Sequence, residues 1–308
     1  MTKHNNHVYD MIVLGGGPSG YTAALYAARA GLDTLVLERL CAGGQLAQTH
    51  WIDNYPGFED GIDGYSLAEK MKKQAERFGA KTTFGEAVSV DLETTPKVIE
   101  TAKECLLART VVLATGANPR HLGLDNEEKF VGRGVAYCAS CDGMFYRGKT
   151  VVVVGGGNTA VEDALLLSRI ANKVILIHRR DQLKATKIYH KPLLDAENVE
   201  IKWNSIVTEF LYDEKINGVC VLNTETGITE TVETDGVFVS IGRKPATELF
   251  AAQVVLDEGG YVIAGENTKT NIPGVFATGD LRTKNLRQVV TAVADGALAA
   301  YAAQEFLA

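Results

Sequence analysis

The chain has 308 residues, of which 46% are hydrophobic and 22% are charged, and this length allows two ordinary domains with a buried core each. A formal net charge of -7 argues against the basic face that binding to a nucleic-acid backbone requires. The N-terminus is polar and the first apolar run, Met11 to Leu14, stops at a glycine. We therefore expect no signal peptide, no membrane contact and a cytoplasmic protein.

A strand, a glycine-rich turn and a helix are predicted at the start of the chain. Residues 8–14 form the apolar strand, residues 15–20 read Gly-Gly-Gly-Pro-Ser-Gly, and residues 21–30 form an alanine-rich helix. A second strand, residues 34–38, ends in the acid Glu38. Glycines let the backbone approach a pyrophosphate, the helix N-terminus offers free amides to it, and the acid accepts a ribose hydroxyl. The pattern predicts a dinucleotide site.

The following segment is predicted to complete this first domain. Residues 66–78 have the spacing of an amphipathic helix, residues 81–108 alternate like short strands, and residues 110–116 form a buried strand. The glycines at 43 and 44 and the residues from Asn54 to Gly57 are typical of turns. The core-facing positions of the helix are Leu67, Met71, Ala75 and Phe78.

The second half of the chain repeats the first. A strand at 151–154, a second Gly-Gly-Gly turn at 155–157 and a helix to Ser168 precede the strand 173–177. His178 occupies the position that Glu38 has in the first copy, and basic residues follow it: Arg179, Arg180 and Lys184. Guanidinium groups pair with a 2′-phosphate, which a carboxylate would repel, so this site should prefer NADP over NAD.

The remaining segments decide the domain organisation. Residues 199–233 are predicted to be strand-rich, with hairpin turns at Asn217-Gly218 and at Thr226-Gly227. Residues 272–280 and an alanine-rich helix from Leu286 belong to neither copy, so we assign them to the first domain. The predicted fold class is α/β with two three-layer dinucleotide-binding (Rossmann-like) domains. The first domain comprises residues 1–116 and 246–308, and the second, residues 117–245, is inserted into it.

Two cysteines, Cys138 and Cys141, are separated by two residues and are followed directly by Asp142. Two thiols at this spacing can close a small, reducible ring, and the thiolate is the nucleophile in disulfide exchange. Alternatives are half a zinc site, which lacks a second pair of ligands at suitable spacing, and inert packing. We therefore predict no metal site. We predict no function for Cys41, Cys105 and Cys220, nor for His50, His121 and His190, which lie in no motif.

Short motifs are spread along the whole sequence. They are Gly15 to Gly20, Gly43-Gly44-Gln45, Ala114-Thr115-Gly116, Cys138 to Gly143, Gly155 to Ala160, His178-Arg179-Arg180, Thr278-Gly279-Asp280 and Arg287-Gln288. In these motifs the sequence resembles the low-molecular-weight thioredoxin reductases over essentially its whole length. That resemblance implies FAD in the first dinucleotide site, NADPH in the second, a homodimer, and thioredoxin or a thioredoxin-like protein as the partner.

The resemblance also implies roles for single residues. Cys141 would react with the flavin, Cys138 would exchange with the protein substrate, and Asp142 would move the proton. The implied FAD residues are Gly15, Gly17, Ser19, Gly20, Glu38, Gly44, Gln45, Asn54, Thr115, Gly116, Gly279, Asp280, Arg287, Gln288 and Val289. The implied NADPH residues are Gly155, Gly157, Asn158, Thr159, His178, Arg179, Arg180 and Lys184. The chain departs from the family pattern at Lys184, where a third arginine is usual, and this change bears on NADPH affinity.

The function expected from these observations is thioredoxin-disulfide reduction, with electrons passing from NADPH to FAD, to the Cys138-Cys141 disulfide and to a protein disulfide. One alternative is a flavin-dependent dithiol oxidase, which would not need the basic residues Arg179 and Arg180. Others are a reductase of a different thiol partner and a non-catalytic nucleotide-binding redox sensor. A sensor need not oxidise NADPH when a disulfide substrate is present.

Overall fold

The structure is a computed structural model that describes residues 3–39, 42–49 and 51–308. The chain forms two compact units. The first unit comprises Met1–Asn118 and Lys244–Ala308, and the second unit comprises Pro119–Arg243. Across the described ranges, every helix is too short or too polar to cross a membrane.

Both units contain helices and strands. The helices are α1 (Pro18–Arg29), α2 (Gly64–Arg77), α3 (Ala139–Asp142), α4 (Asn158–Ser168), α5 (His190–Leu194) and α6 (Val289–Leu307). The strands are β1 (Lys3–Leu14), β2 (Thr34–Glu38), β3 (Lys81–Phe84), β4 (Ala87–Asp91), β5 (Lys97–Thr101), β6 (Glu104–Leu113), β7 (Ala117–Pro119), β8 (Val135–Ala136), β9 (Thr150–Val154), β10 (Lys173–Ile177), β11 (Val199–Lys202), β12 (Ser205–Tyr212), β13 (Ile216–Asn223), β14 (Thr229–Glu233), β15 (Gly236–Val239), β16 (Arg243–Pro245) and β17 (Val275–Ala277).

In the first unit, a mixed sheet has the order β3-β2-β1-β6-β5-β4, and β17 pairs with the second half of β6. The pairs from β3 to β6 and to β17 are parallel, whereas β5 and β4 are antiparallel. Helices α1 and α6 cover one face, where Gly296 lets them approach closely: a Cβ there would lie 2.2 Å from Ser19 O. A second apolar layer with Leu92, Phe250 and Val262 covers the other face.

In the second unit, a parallel sheet has the order β11-β10-β9-β15-β8. Helices α4 and α5 pack on one face through buried residues that include Leu167 and Phe238. The antiparallel sheet β12-β13-β14 packs on the other face through residues such as Phe210. Full burial of each such side chain stabilises the fold by roughly 1.5–3 kcal/mol. The predicted α/β fold of two Rossmann-like units, one inserted into the other, is confirmed.

The chain crosses between the units along β7 and β16, which pair with each other as a two-stranded sheet. The unit boundaries in the structure follow Asn118 and Arg243. Near these crossings, the backbone amide of Ala246 donates a hydrogen bond to Gly116 O at 3.0 Å.

Three local predictions were wrong. Asn217-Gly218 lies inside β13, because Tyr212 pairs with the fully buried Ile216 and leaves residues 213–215 as the turn. Phe78 is 41% exposed, because α2 ends at Arg77 and its periodicity ends there too. The last helix begins at Val289 rather than at residue 286, because the side chains and backbone of residues 288 and 291 form its capping box.

Candidate active site

The first glycine turn joins β1 to α1 through two positions where only glycine fits. Gly15 has a φ of +105°, and a Cβ there would lie 2.5 Å from Ala114 O. A Cβ at Gly20 would lie 1.9 Å from Gly15 O. The turn therefore brings the N-terminus of α1 directly against the end of the sheet.

An open groove lined by backbone lies between this turn and a second glycine pair. The amide of Gly43 donates to Gly16 O at 2.7 Å and ties the two turns together. A Cβ added at Gly17 or at Gly44 would meet no heavy atom closer than 4.0 Å. Gly17 is the N-cap of α1 and provides no side-chain cap, so the first amides of the helix are left for a ligand. This cradle fits a pyrophosphate at a helix N-terminus.

The carboxylate of Glu38 lies beside the same turn. Its side chain is almost buried, with 8% exposed. One oxygen accepts a hydrogen bond from the amide of Gly16 at 2.5 Å, and the other accepts one from the amide of Arg39 at 2.8 Å. These bonds fix the carboxylate at the end of β2, where it can accept a further bond from a hydroxyl group.

The start of α6 brings several predicted FAD residues to the N-terminus of α1. A Cβ at Gly279 would lie 2.8 Å from Ser19 Oγ, so this turn and α1 are in contact. Arg287 donates from Nε to Asp280 O at 3.4 Å, and its guanidinium lies 4.1 Å from the centre of the Tyr261 ring. These bonds hold Arg287 next to the turn that carries Asp280.

Asn54 and Gln288 connect a distant loop to the beginning of α6. Asn54 Nδ2 donates to Gln288 Oε1 at 3.0 Å, although the two residues are far apart in the chain. The backbone amide of Gln288 donates to Thr291 Oγ1 at 3.1 Å, which completes the cap of α6. Val289 is half-buried and packs against the apolar cluster that includes Leu46.

Gln45 and Thr115 contact the points where the chain leaves and re-enters the first unit. Gln45 Nε2 donates to Ala117 O at 2.6 Å, and Thr115 Oγ1 donates to Ala246 O at 2.6 Å. Gly116, with a φ of +71°, makes the turn between β6 and β7. Both side chains therefore also hold the backbone of the two crossings.

The second glycine turn joins β9 to α4 in the same way. Gly155 has a φ of +153°, and a Cβ there would lie 2.4 Å from Ser240 O. Gly157 caps α4 without a side-chain bond, and a Cβ there would meet nothing within 4 Å. The side chain of Asn158 accepts a hydrogen bond from the amide of Thr186 at 2.8 Å, and Thr159 is exposed on the first turn of α4. This turn is a second open cradle at a helix N-terminus.

Cys138 and Cys141 form a disulfide bond, with their Cα atoms 5.3 Å apart. Cys138 is the N-cap of α3, and Ser140 Oγ lies 3.3 Å from Cys138 Sγ. Both cysteines and Asp142 are partly exposed. Cys105 and Cys220 are free thiols. Within the described ranges, no cluster of His, Cys, Asp and Glu side chains could hold a metal ion, and Cys41 and His50 lie outside them.

A sequence profile described as pyridine nucleotide-disulphide oxidoreductase matches residues 9–296. The chain belongs to this family. It is 44% identical over 301 residues to a thioredoxin reductase of Listeria innocua, covering 97% of this chain and 94% of that protein. A Bacillus subtilis thioredoxin reductase is 42% identical, with 97% and 95% covered. The crystal structure of thioredoxin reductase from Streptococcus pyogenes superposes with a TM-score of 0.90 at 40% identity, covering 98% and 99%. The resemblance to thioredoxin reductases is confirmed.

In this pyridine nucleotide-disulphide oxidoreductase, His178 is buried, whereas the two arginines after it are exposed. His178 is 7% exposed, its ring fills the space beside Gly156, and Nε2 donates to Gln182 O at 2.9 Å. Burial lowers the pKa of His178, so the ring is neutral at pH 7. The positive charge at this position therefore comes from the exposed residues Arg179 and Arg180.

Lys184 lies on a loop that is fastened to the second glycine turn. The amides of Lys184 and Ala185 both donate to Gly156 O, at 2.8 and 3.0 Å. Throughout the described part of the chain, the charged ends of Arg179, Arg180 and Lys184 have no ion-pair partner. Three exposed cations without a counter-ion beside an open helix N-terminus suit a phosphate group.

In this oxidoreductase, Asp295 forms a buried ionic cluster that the sequence did not predict. Its carboxylate accepts hydrogen bonds from Arg282 Nη2 at 2.8 Å, Lys284 Nζ at 2.7 Å and the amide of Gly279 at 2.9 Å. Burial alone would raise the pKa of Asp295, but the bonds from Arg282 and Lys284 outweigh it and lower the pKa. The cluster fixes the Gly279 turn on α6, and one acid within an alanine-rich helix was its only sequence signal.

A further acid of the oxidoreductase, the partly buried Asp163 on α4, contacts Ser240 directly after β15. Ser240 Oγ donates to Asp163 Oδ2 at 2.5 Å, next to the contact between Ser240 O and Gly155. Burial raises the pKa of Asp163 to about 6, although the bond from Ser240 opposes the rise. The folded protein therefore keeps this proton to a higher pH than the unfolded chain does.

We expect Asp163→Asn to remove a pH-dependent loss of stability. Between pH 4 and pH 6 the unfolded chain releases the proton while the folded state holds it, so the wild-type free energy of unfolding falls as pH rises, by about 3 kcal/mol in total. Urea unfolding at pH 4 to 7 should show the stability advantage of Asp163→Asn over the wild type growing by up to that amount. Asp181→Asn, at an exposed acid, serves as the control, and an advantage that stays constant with pH contradicts the prediction.

Proposed function

We propose that this oxidoreductase is an NADPH-dependent thioredoxin-disulfide reductase that uses FAD. The observation that carries the proposal is the partly exposed Cys138-Cys141 disulfide, followed directly by Asp142, in a chain that also has two dinucleotide cradles. The relatives reported above are named thioredoxin reductases, which supports thioredoxin or a thioredoxin-like protein as the partner. A homodimer and a cytoplasmic location belong to the same proposal.

The two cradles suit two different nucleotides. The first has Gly17 and Gly44 at an open backbone groove, and Glu38 beside it to accept a ribose hydroxyl, which suits the adenosine and pyrophosphate of FAD. The second has Arg179 and Arg180 in place of the acid, which suits the 2′-phosphate of NADPH. When bound, the flavin would accept the hydride of NADPH and pass an electron pair to the disulfide.

The dithiol then carries out two exchange steps. As a thiolate, Cys138 attacks a disulfide sulfur of the partner, which forms a mixed disulfide and releases one partner thiol. Cys141 attacks Cys138 Sγ, closes the ring again and releases the second partner thiol. Two electrons and two protons thus pass to the partner, and the Asp142 carboxylate takes the proton from Cys141 Sγ so that the thiolate can attack.

The test is to purify the protein, record its absorption and follow nucleotide oxidation with a thioredoxin disulfide. We expect flavin bands, and faster turnover with NADPH than with NADH. A colourless protein would contradict the proposal. Oxygen consumption with a small dithiol and no need for NADPH would instead identify a dithiol oxidase. A yellow protein that leaves NADPH intact in the presence of disulfides would be a redox sensor.

We expect Lys184→Arg to lower the KM for NADPH about two- to fivefold. The planar guanidinium can form two parallel hydrogen bonds to a phosphate, whereas the ammonium is a point charge. Steady-state kinetics with NADPH and NADH measures the effect, and the KM for NADH should not change. Lys215→Arg, in the turn between β12 and β13, is the control. An unchanged KM for NADPH would show that position 184 does not contact the phosphate.

A further inference from the structure

Three side chains that no sequence motif contains meet immediately before the dithiol. Tyr137 directly precedes Cys138, and its hydroxyl donates to Glu127 Oε1 at 2.8 Å. The same hydroxyl lies 2.8 Å from His121 Nδ1. We call Tyr137, Glu127 and His121 the Tyr137 clamp.

Glu127 anchors the clamp in the second unit. It is 3% exposed, and its carboxylate also accepts hydrogen bonds from the amides of Leu122 and Gly123, both at 2.9 Å. These two amide hydrogen bonds hold the carboxylate in one position. Tyr137 is therefore bound to a rigid loop rather than to a flexible surface side chain.

The hydrogen bonds of the clamp run in one direction. The hydroxyl of Tyr137 has one proton, and it donates this proton to the Glu127 carboxylate. His121 must therefore donate from Nδ1 to the hydroxyl oxygen of Tyr137. Burial, followed by the bond to Glu127, raises the pKa of Tyr137, and its hydroxyl remains a donor at physiological pH. The outer member, His121, is 43% exposed, so the clamp reaches the surface.

The dithiol segment is held on both sides. Before it, β8 lies in the sheet and is followed by Tyr137. After Cys138, Ala139 is 2% exposed in the core, and a Cβ at Gly143 would lie 3.2 Å from Leu167 Cδ2, so this part of the chain packs closely on α4. Tyr137 is thus the polar anchor on the N-terminal side of Cys138.

We propose that the Tyr137 clamp is a positioning device that keeps Cys138 within disulfide-forming reach of Cys141 after the bond between them opens. The inference rests on the proposed function, because a reductase must close this disulfide again in every turnover. In the oxidised protein the S–S bond itself restrains Cys138. In the reduced protein that restraint is gone, and the clamp restrains the backbone next to Cys138 instead.

Because of this difference between the two states, loss of the clamp should change the equilibrium between the disulfide and the dithiol. Dithiothreitol reduces the disulfide by breaking the Cys138-Cys141 bond: two electrons and two protons pass to the protein, and dithiothreitol becomes its cyclic disulfide. Loss of the clamp lets the reduced segment gain conformational freedom, and this favours the dithiol. The hydrogen bond itself is lost from both states, so its direct contribution to the equilibrium cancels.

The test measures the dithiol fraction of the full-length flavoprotein in anaerobic dithiothreitol buffers, by alkylation and mass analysis of the peptide with both cysteines. We expect Tyr137→Phe to shift the equilibrium constant towards the dithiol by about tenfold, equivalent to roughly 30 mV. His121→Ala, which removes only the outer bond, should shift it less. Thioredoxin and NADPH are absent, so failure of the proposed function would not affect this measurement.

Tyr146→Phe is the matched control, because it removes a hydroxyl close to the dithiol in sequence that makes no hydrogen bond to any described residue. Its equilibrium constant should stay within twofold of the wild type. Equal constants for the wild type, Tyr137→Phe and Tyr146→Phe overturn the proposal. If Tyr137→Phe does not fold, a shift in His121→Ala supports the clamp, and no shift there overturns it.

Discussion

Cys138→Ser and Cys141→Ser should each lower thioredoxin-dependent turnover by more than about a thousandfold, because a single thiol cannot close the disulfide that carries the electron pair. The hydroxyl of serine is far less acidic than a thiol and cannot replace it as the nucleophile. The measurement is NADPH oxidation with a thioredoxin disulfide as the acceptor. The flavin of both variants should remain bound, and NADPH should still reduce it.

The free thiols provide the matched controls for this experiment. Cys105→Ser and Cys220→Ser change a half-buried thiol in the same way but leave the disulfide intact, and they should keep wild-type turnover. Retained activity in Cys138→Ser or Cys141→Ser would remove the dithiol from the mechanism. Loss of flavin from either variant would instead indicate a folding defect, which the absorption spectrum detects directly.

Replacing Arg179 and Arg180 together by alanine should lower kcat/KM for NADPH by about a hundredfold or more, while kcat/KM for NADH changes little. Each hydrogen bond to a charged group contributes roughly 1.5–3 kcal/mol, and tenfold in affinity corresponds to about 1.4 kcal/mol. Both side chains are exposed and have no ion pair within the described ranges, so their removal should not destabilise the unit. Initial rates with the two nucleotides give the ratio.

Arg169→Ala controls for the loss of positive charge, because Arg169 lies at the C-terminal end of α4, away from the glycine turn at its start. It should leave the NADPH-to-NADH ratio unchanged. Equal losses with both nucleotides in the double variant would show that the arginines do not read the 2′-phosphate.

Local sequence patterns predicted most of the fold. The strands 34–38 and 173–177 have the predicted bounds, because apolar runs between turn residues determine both. The two glycine turns were predictable, because close contacts at Gly15, Gly20 and Gly155 leave no room for a side chain. The disulfide was also predictable, because the spacing of the two cysteines brings both thiols to one short helix.

Features that depend on strand register and distant packing were not predictable. Asn217-Gly218 is typical of a hairpin turn, but burial of Ile216 shifts the turn to earlier residues. The cluster around Asp295 joins a helix to a preceding loop, and the Tyr137 clamp joins residues from two loops. Neither contact has a local pattern, since each depends on how separate segments pack in three dimensions.

The pairing of β7 with β16 shows how a second unit can be inserted into the first without disturbing its sheet. Paired strands lie about 4.8 Å apart, so the host chain departs and returns at almost one point, as it would at an ordinary hairpin. The entropic cost of closing a loop rises only slowly with the length of the loop. Recombination that placed a complete second unit between these strands would leave every strand pair of the host sheet unchanged.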